Sequence, residues 1–209
     1  IGTVLVMLGV TGRLPQLVHH NLLFSEDWST DFAAVFDGPQ PERPLDASQS
    51  IYVSMPSATE EGVAPPDHEN LFVLVPVRAD ASLGHGSLFR GSGTPAVEAI
   101  ADAAVDQIAA WAGIPDLAER IVTRHTVGPA DFAERYHAWS GGSIGPAHTL
   151  RQSAFLRGRN VSGKVARLYY AGATTVPGVG VPMCLISAEN VIKRLRGDSS
   201  PGPLPEVDA

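Results

Sequence analysis

The chain has 209 residues, 44% hydrophobic and 18% charged, with a formal net charge of −7. That is an ordinary globular composition, enough for one large domain or parts of two, and its acidity excludes a nucleic-acid partner, which needs clustered Lys and Arg. No apolar run reaches a membrane-spanning length, which leaves open only peripheral contact with a membrane surface; the single cysteine, Cys184, rules out an intrachain disulfide and points to a reducing, cytoplasmic setting.

In chain order, residues 1–10 and 18–24 read as strands joined by a turn around Gly12–Pro15. The chain opens at Ile1 directly on a strand pattern, which suggests a fragment whose natural start lies upstream. Residues 32–36 suit a short helix, and 37–50 a loop, because three prolines fall there. "IYVSM" and "NLFVLVPV" (51–55 and 70–77) are β-rich. A helix follows, with Thr94 able to cap it, Pro95 in its first turn, Val97, Ile100, Ala101, Ala104, Ile108 and Trp111 at helical spacing, and Gly113 ending it. Then come a strand at 120–127, a short helix at 129–139 and a glycine-rich loop at 140–160. The closing unit is a strand at 167–173, a turn, and a helix from about Val181 to Leu195; the tail after Gly197 is too poor in apolar residues to fold. The pattern predicts a mixed α/β (α+β) chain without internal repeats.

The closing turn is unusual. Val181, Leu185, Ala188, Ile192 and Leu195 share one helix face, and Lys193, Arg194 and Arg196 suit the negative C-terminal end of the dipole. The other end is flanked by Gly178, Gly180 and Pro182, with no Ser, Thr, Asp or Asn directly at the cap. Bare N–H groups with the positive dipole end behind them suit a ligand carrying negative charge or carbonyl oxygens, and the glycines let something flat approach. A tight strand–helix turn that merely uses glycine explains the same residues.

"LYYAGATTVPGVGVPMCLISAENV" resembles the C-terminal flavin-binding segment of the bacterial-type phytoene desaturases, FAD enzymes of the carotenoid desaturase family. "PQLVHHNLLFSEDW", "YVSMPSATEEGVAPPDHENLFVLVPV" and "SGGSIGPAHTLRQSAFLRGRN" resemble further blocks of that family in the same order, so the likeness reaches to about residue 197. It implies the C-terminal part of a two-domain oxidoreductase: a substrate-binding portion over 1–140, the closing strand–turn–helix of the FAD-binding domain over 141–197, and a disordered tail over 198–209. The N-terminal dinucleotide-binding unit, which holds the ADP part of FAD, is not in this sequence, so the missing N-terminal half is an implied partner and the isolated fragment is expected to be inactive. Gly172, Ala173, Thr174, Gly178, Val179, Gly180, Val181 and Met183 would line the flavin. The substrate would be phytoene or a similar hydrophobic carotenoid precursor. No residue suggests itself as the proton acceptor. One departure is Arg167, where the family usually has glycine before the "LYY" strand.

Other patterns compete. "GSGTPA" (91–96) fits a dinucleotide fingerprint but lacks the strand directly before it, so it reads as a capping loop. "GGSIG" (141–145) fits a nucleophile elbow; a serine hydrolase built on Ser143, with His125 or His148 as base, is the alternative from another class, although no strand precedes it. Another flavoprotein of the superfamily, acting on a different carotenoid or an amine, is the nearer alternative. His19 and His20 would face opposite ways on a strand and so not share a metal, and His68, His85 and His137 lack ligand spacing; no metal site is expected.

Overall fold

In the computed structural model, which describes residues 1–38, 40, 45 and 47–205, the chain divides into two compact units, Ile1–Ser143 and Ile144–Ala209. The first is built on one antiparallel sheet of β1 (Gly2–Thr11), β2 (His20–Leu23), β3 (Ile51–Ser54), β4 (His68–Val77) and β5 (Ile121–Val127), in the order β2-β3-β4-β1-β5. With an antiparallel sheet and separate helices, the mixed fold is of the α+β kind.

Strand alternation sends every second side chain to one face. Val4, Val6, Leu8 and Val10 of β1 and Leu71, Val73, Val75 and Val77 of β4 are buried there. Helix α2 (Pro95–Ala112) covers this face with Val97, Ile100, Ala101, Ala104, Val105 and Ile108. Each buried Val, Leu or Ile side chain contributes about 1.5–3 kcal/mol, the alanines less. Gly113 ends α2 in a left-handed conformation, and Pro95 stands in its first turn. Thr94, read as a side-chain cap, does something else: its hydroxyl bonds the carbonyls of Leu83 and His85, both at 3.2 Å, tying the approach loop down.

Helix α1 (Trp28–Phe36) begins earlier than its apolar pattern suggests, because Asp27 accepts from the Thr30 N–H at 3.1 Å and caps it. The buried Asp31 carboxylate accepts from the hydroxyls of Ser25 and Ser50, each at 2.6 Å, and from the Gln49 N–H at 3.0 Å. Part of the predicted 37–50 loop (Pro39, residues 41–44 and Asp46) lies outside the described residues; its end joins the sheet, where Ala47 bridges Val77. Helix α3 (Pro129–Tyr136) is shorter than its pattern, since His137 turns left-handed at φ 52°.

The second unit differs. Helix α4 (Val181–Arg196) forms where expected, but the strand predicted at 167–173 does not. In its place are two single bridges, Val161 with Tyr169 antiparallel and Gly158 with Thr175 parallel. A strand needs a continuous ladder beside it, and the described residues of this unit offer only the irregular 158–162 segment, through bonds such as Tyr170 N–H to the Asn160 carbonyl at 2.9 Å. The described part of the tail, 198–205, has no regular structure but is tied to α4, with the Lys193 ammonium donating to the Ser200 carbonyl at 3.0 Å and to that of Gly202; residues 206–209 lie outside the described residues.

Candidate functional site

The turn ahead of α4 gathers every residue predicted to line a ligand. Gly172, Ala173 and Thr174 sit in the irregular stretch, Gly178, Val179 and Gly180 form the approach, and Val181 and Met183 occupy the first helical turn. Gly172, Gly178 and Gly180 have φ of 115°, 146° and 115°, values that L side chains rarely adopt. Gly180 is the N-cap and, having no side chain, caps nothing. The first helical bond recruits its carbonyl, from Cys184 N–H at 2.9 Å. The N–H groups of Val179, Gly180, Val181 and Met183 find no acceptor among the described residues. Thr174, Gly180 and Val181 are exposed and Val179 and Met183 half-buried, with the positive end of α4 behind these donors.

Buried polar side chains support the turn from below, and sequence reasoning missed them. Asn160, 3% exposed, directs its amide at the carbonyls of Tyr170 and Val176, each at 3.2 Å, and at the hydroxyls of Ser187 (3.0 Å) and Thr175 (3.3 Å). Ser187 accepts from Gly172 N–H at 3.0 Å and lies 2.7 Å from the Thr175 hydroxyl, which bonds the Gly172 carbonyl at 3.0 Å. Gly172 is thus held at both its N–H and its carbonyl. Arg157, also 3% exposed, bonds the Ala173 carbonyl from Nε (2.8 Å) and Nη2 (2.6 Å), and reaches the carbonyls of Ile144, Gln152 and Pro146 at 3.2–3.4 Å. The signals available were a hydroxyl, Ser187, amid the apolar residues of a helix, and an Arg and an Asn in a segment otherwise read as loop.

The chemistry of the turn fits a flavin to this extent: its bare N–H donors suit a ring edge that carries carbonyls and gains negative charge, and the backbone at Gly172 is open, a Cβ built there meeting nothing within 4 Å.

The competing motifs do not assemble. Ser143 follows a turn at Trp139–Gly141, not a strand, and its hydroxyl reaches only the Ile1 carbonyl, at 3.5 Å. Within its own unit no imidazole bonds it, and β5 carries His125 on an exposed position. The segment before Gly91 is turn and loop, so the 91–96 motif has no strand to follow. His19 and His20 depart from expectation. His19 precedes β2, so the two rings lie together, centroids 4.2 Å apart, yet each is engaged elsewhere: His19 with the Thr59 hydroxyl at 2.5 Å and His20 with that of Tyr52 at 2.7 Å. Among the described residues no three His, Cys, Asp or Glu are placed to hold a metal ion, and no helix is long and apolar enough to cross a membrane.

No family model matches the chain. Curated proteins do. It is 40% identical over 195 residues, 93% of its length, to the carotenoid 3,4-desaturase of Haloarcula japonica, of which it covers 36%. It is 32% identical over 199 residues, 95% of its length, to the 4,4'-diapophytoene desaturase of Staphylococcus haemolyticus, covering 38% of that protein. The 4,4'-diapophytoene desaturase of Staphylococcus aureus is 32% identical over 187 residues, 90% of this chain and 36% of the relative. The chain thus spans a little over a third of the length of these relatives.

Proposed function

We propose, from the premise that this chain is a carotenoid desaturase family member along the nine tenths of its length that align, that it is the C-terminal part of an FAD-dependent enzyme that dehydrogenates phytoene or a similar carotenoid precursor. In this reading residues 1–140 belong to a substrate-binding portion and 141–197 close the flavin-binding domain. The observation that carries it is the uncapped start of α4, where the N–H groups of Val179, Gly180, Val181 and Met183 find no acceptor among the described residues, in a chain 40% identical to a carotenoid desaturase.

When bound, the flavin would supply hydride acceptance from a methylene of the hydrocarbon. The chain's own residues do the rest. The N–H groups of Val179 to Met183, with the α4 dipole, favour negative charge at the ring edge they face. Gly172, Ala173 and Thr174 give the opposing backbone, fixed by Ser187, Thr175 and Arg157. The rest of the flavin site belongs to the N-terminal half, so the isolated chain is inactive. A hydrocarbon substrate partitions into lipid, and the complete enzyme is a cytoplasmic protein that meets the membrane peripherally.

The test is an absorption spectrum of this chain and of the protein extended upstream to its complete reading frame. Flavin bands in the extended protein, lost on Gly180→Val, are the expected result. A Cβ at Gly180 meets only Met183 Cγ at 3.9 Å, so the substitution acts through the φ of 115° and by occupying the ring's approach. A colourless extended protein, even after FAD is added, defeats the reading; full flavin content in Gly180→Val defeats the placement of the ring.

A further inference from the structure

Charge is divided unevenly along the chain. The protein carries −7 overall, yet residues 144–197 hold eight Lys and Arg against one acid, Glu189. One of the eight, Arg157, is 3% exposed. Every acceptor of its N–H groups is a backbone carbonyl: Ala173 takes Nε at 2.8 Å and Nη2 at 2.6 Å, Ile144 takes Nη2 at 3.2 Å, and Gln152 and Pro146 take Nη1 at 3.3 and 3.4 Å. No carboxylate of the described residues pairs with it. A guanidinium is a permanent cation, and burying one without a counter-charge is costly even when its hydrogen bonds are made. Holding the backbone does not require a cation: Asn160, equally buried and neutral, holds the Tyr170 and Val176 carbonyls. The charge at 157, not the hydrogen bonding, is what needs a reason.

By holding the Ala173 carbonyl, Arg157 also fixes the peptide that follows it. That peptide is trans, so its N–H, on Thr174, points away from its C=O and thus away from the guanidinium. Thr174 is exposed, and its N–H finds no acceptor among the described residues. A carbonyl that accepts from a cation is polarised, and the N–H across the same peptide becomes a stronger donor. The aliphatic part of Arg157 runs along the same turn: a Cβ built on Gly178 would lie 3.9 Å from Arg157 Cδ. Gly145 closes over the guanidinium, where a Cβ would fall 3.3 Å from Nη2. One buried cation thus lies against both the Ala173–Thr174 and the Gly178 backbone.

We propose that Arg157 is a positioning residue that sets the electron affinity of the flavin turn: it aims and strengthens the Thr174 N–H and adds a buried positive charge to the N–H groups at the start of α4, so that the site prefers the ring's two-electron-reduced, anionic form to its neutral oxidised form. The inference rests on the flavin reading and assigns to one side chain a part that this reading leaves to the backbone. With its own N–H groups engaged by carbonyls, Arg157 acts on a ligand through charge and through the peptide it holds. Charge distinguishes an anionic ring from a neutral one, whereas a mere clamp serves both alike.

The experiment uses the protein extended upstream to its complete reading frame and stripped of flavin. It measures affinity for FAD and for FAD reduced by dithionite, above neutral pH, where the reduced ring is an anion. The unmodified protein should hold the reduced form more tightly. Arg157→Gln keeps an amide donor for the Ala173 carbonyl but removes the charge. It should cut the preference for the reduced form about tenfold, the order expected of one nearby unit charge at a protein-like dielectric, which equals about 30 mV in a two-electron midpoint potential. Arg157→Lys keeps the charge but loses the fork, and should keep the preference to within about threefold even where it binds both forms more weakly. A preference unchanged in Arg157→Gln overturns the proposal. So does a preference lost alike in both variants, or loss of both forms of FAD in Arg157→Gln, which makes the residue a clamp only. An unmodified protein that binds neither form removes the flavin reading and this inference with it; normal flavin binding with an unmoved preference in Arg157→Gln removes this inference alone.

Discussion

The two units differ in whether a hydrophobic core accompanies the polar groups they keep out of water. In Ile1–Ser143 a hydrophobic core of Val, Leu, Ile, Ala and Met lies between the sheet and α2, alongside buried polar side chains such as Asp31, Thr126 and Asp131. In Ile144–Ala209 the buried side chains among the described residues are Arg157, Asn160, Thr175, Ser187 and Lys193, all polar. Its apolar residues face out instead: Leu150 is 88% exposed, Phe155 86%, Val181 77% and Leu185 68%. A hydrophobic core is non-directional and tolerates some repacking, whereas a polar network holds one geometry and fails when any member is left unpaired. The first kind of interior suits a scaffold and the second suits a turn whose backbone donors must point at one place.

The sharpest way to break this contrast is to damage each interior in its own currency. Ile108 is fully buried on α2. Ile108→Ala should destabilise the first unit by about 2–5 kcal/mol through lost burial and a residual cavity. Urea unfolding reads this directly, while amide exchange around Gly172 should stay as it was. An effect below about 0.5 kcal/mol would mean that the sheet–helix interface is not what holds this unit.

Asn160→Leu tests the other side. The substitution keeps bulk but strips the amide from the Tyr170 and Val176 carbonyls and from Ser187 and Thr175. Leaving such buried groups unpaired costs about 1–3 kcal/mol. The loss should be local: faster exchange at the Gly172 and Tyr170 amides by mass spectrometry, with the first unit's urea midpoint unmoved. Unchanged protection at Gly172 would show that Ser187 alone holds the turn.

The same contrast explains what could be read from the residues alone. Val97, Ile100, Ala104 and Ile108 recur at a helical period because they pack on a sheet, so α2 was legible to within a residue at each end. Strands β1, β3 and β4 likewise follow from their runs of Val, Leu and Ile. Asp27 and Asp31 act through hydrogen bonds that no period encodes, which is why α1 was foreseen too short. In the second unit the turn itself was legible, since glycine and proline mark backbone directly. Its supports were not: Asn160 and Thr175 meet only in three dimensions, and the "LYY" segment has strand composition without a ladder to join. The apolar stripe of α4 pointed to a buried face, yet Ser187 and Lys193 are the residues it buries. Four residues of that stripe, Val181, Leu185, Ile192 and Leu195, are exposed.

The smallest expected effect concerns Arg167, and it has the opposite sign. Its φ is 61°, in the left-handed region, at the position where the resemblance to the phytoene desaturases leads one to expect glycine. An L-residue pays roughly 1–2 kcal/mol to sit there, and glycine gives back part of the difference through its greater freedom when unfolded. Arg167→Gly should therefore stabilise the segment by about 0.5–1 kcal/mol, slowing exchange at Leu168 to Tyr170. Arg167→Ala separates backbone from charge: it removes the guanidinium but keeps the Cβ, and should bring no gain. If alanine and glycine stabilise equally, the benefit comes from removing an exposed cation, and the left-handed turn at 167 is not where the second unit stores its strain.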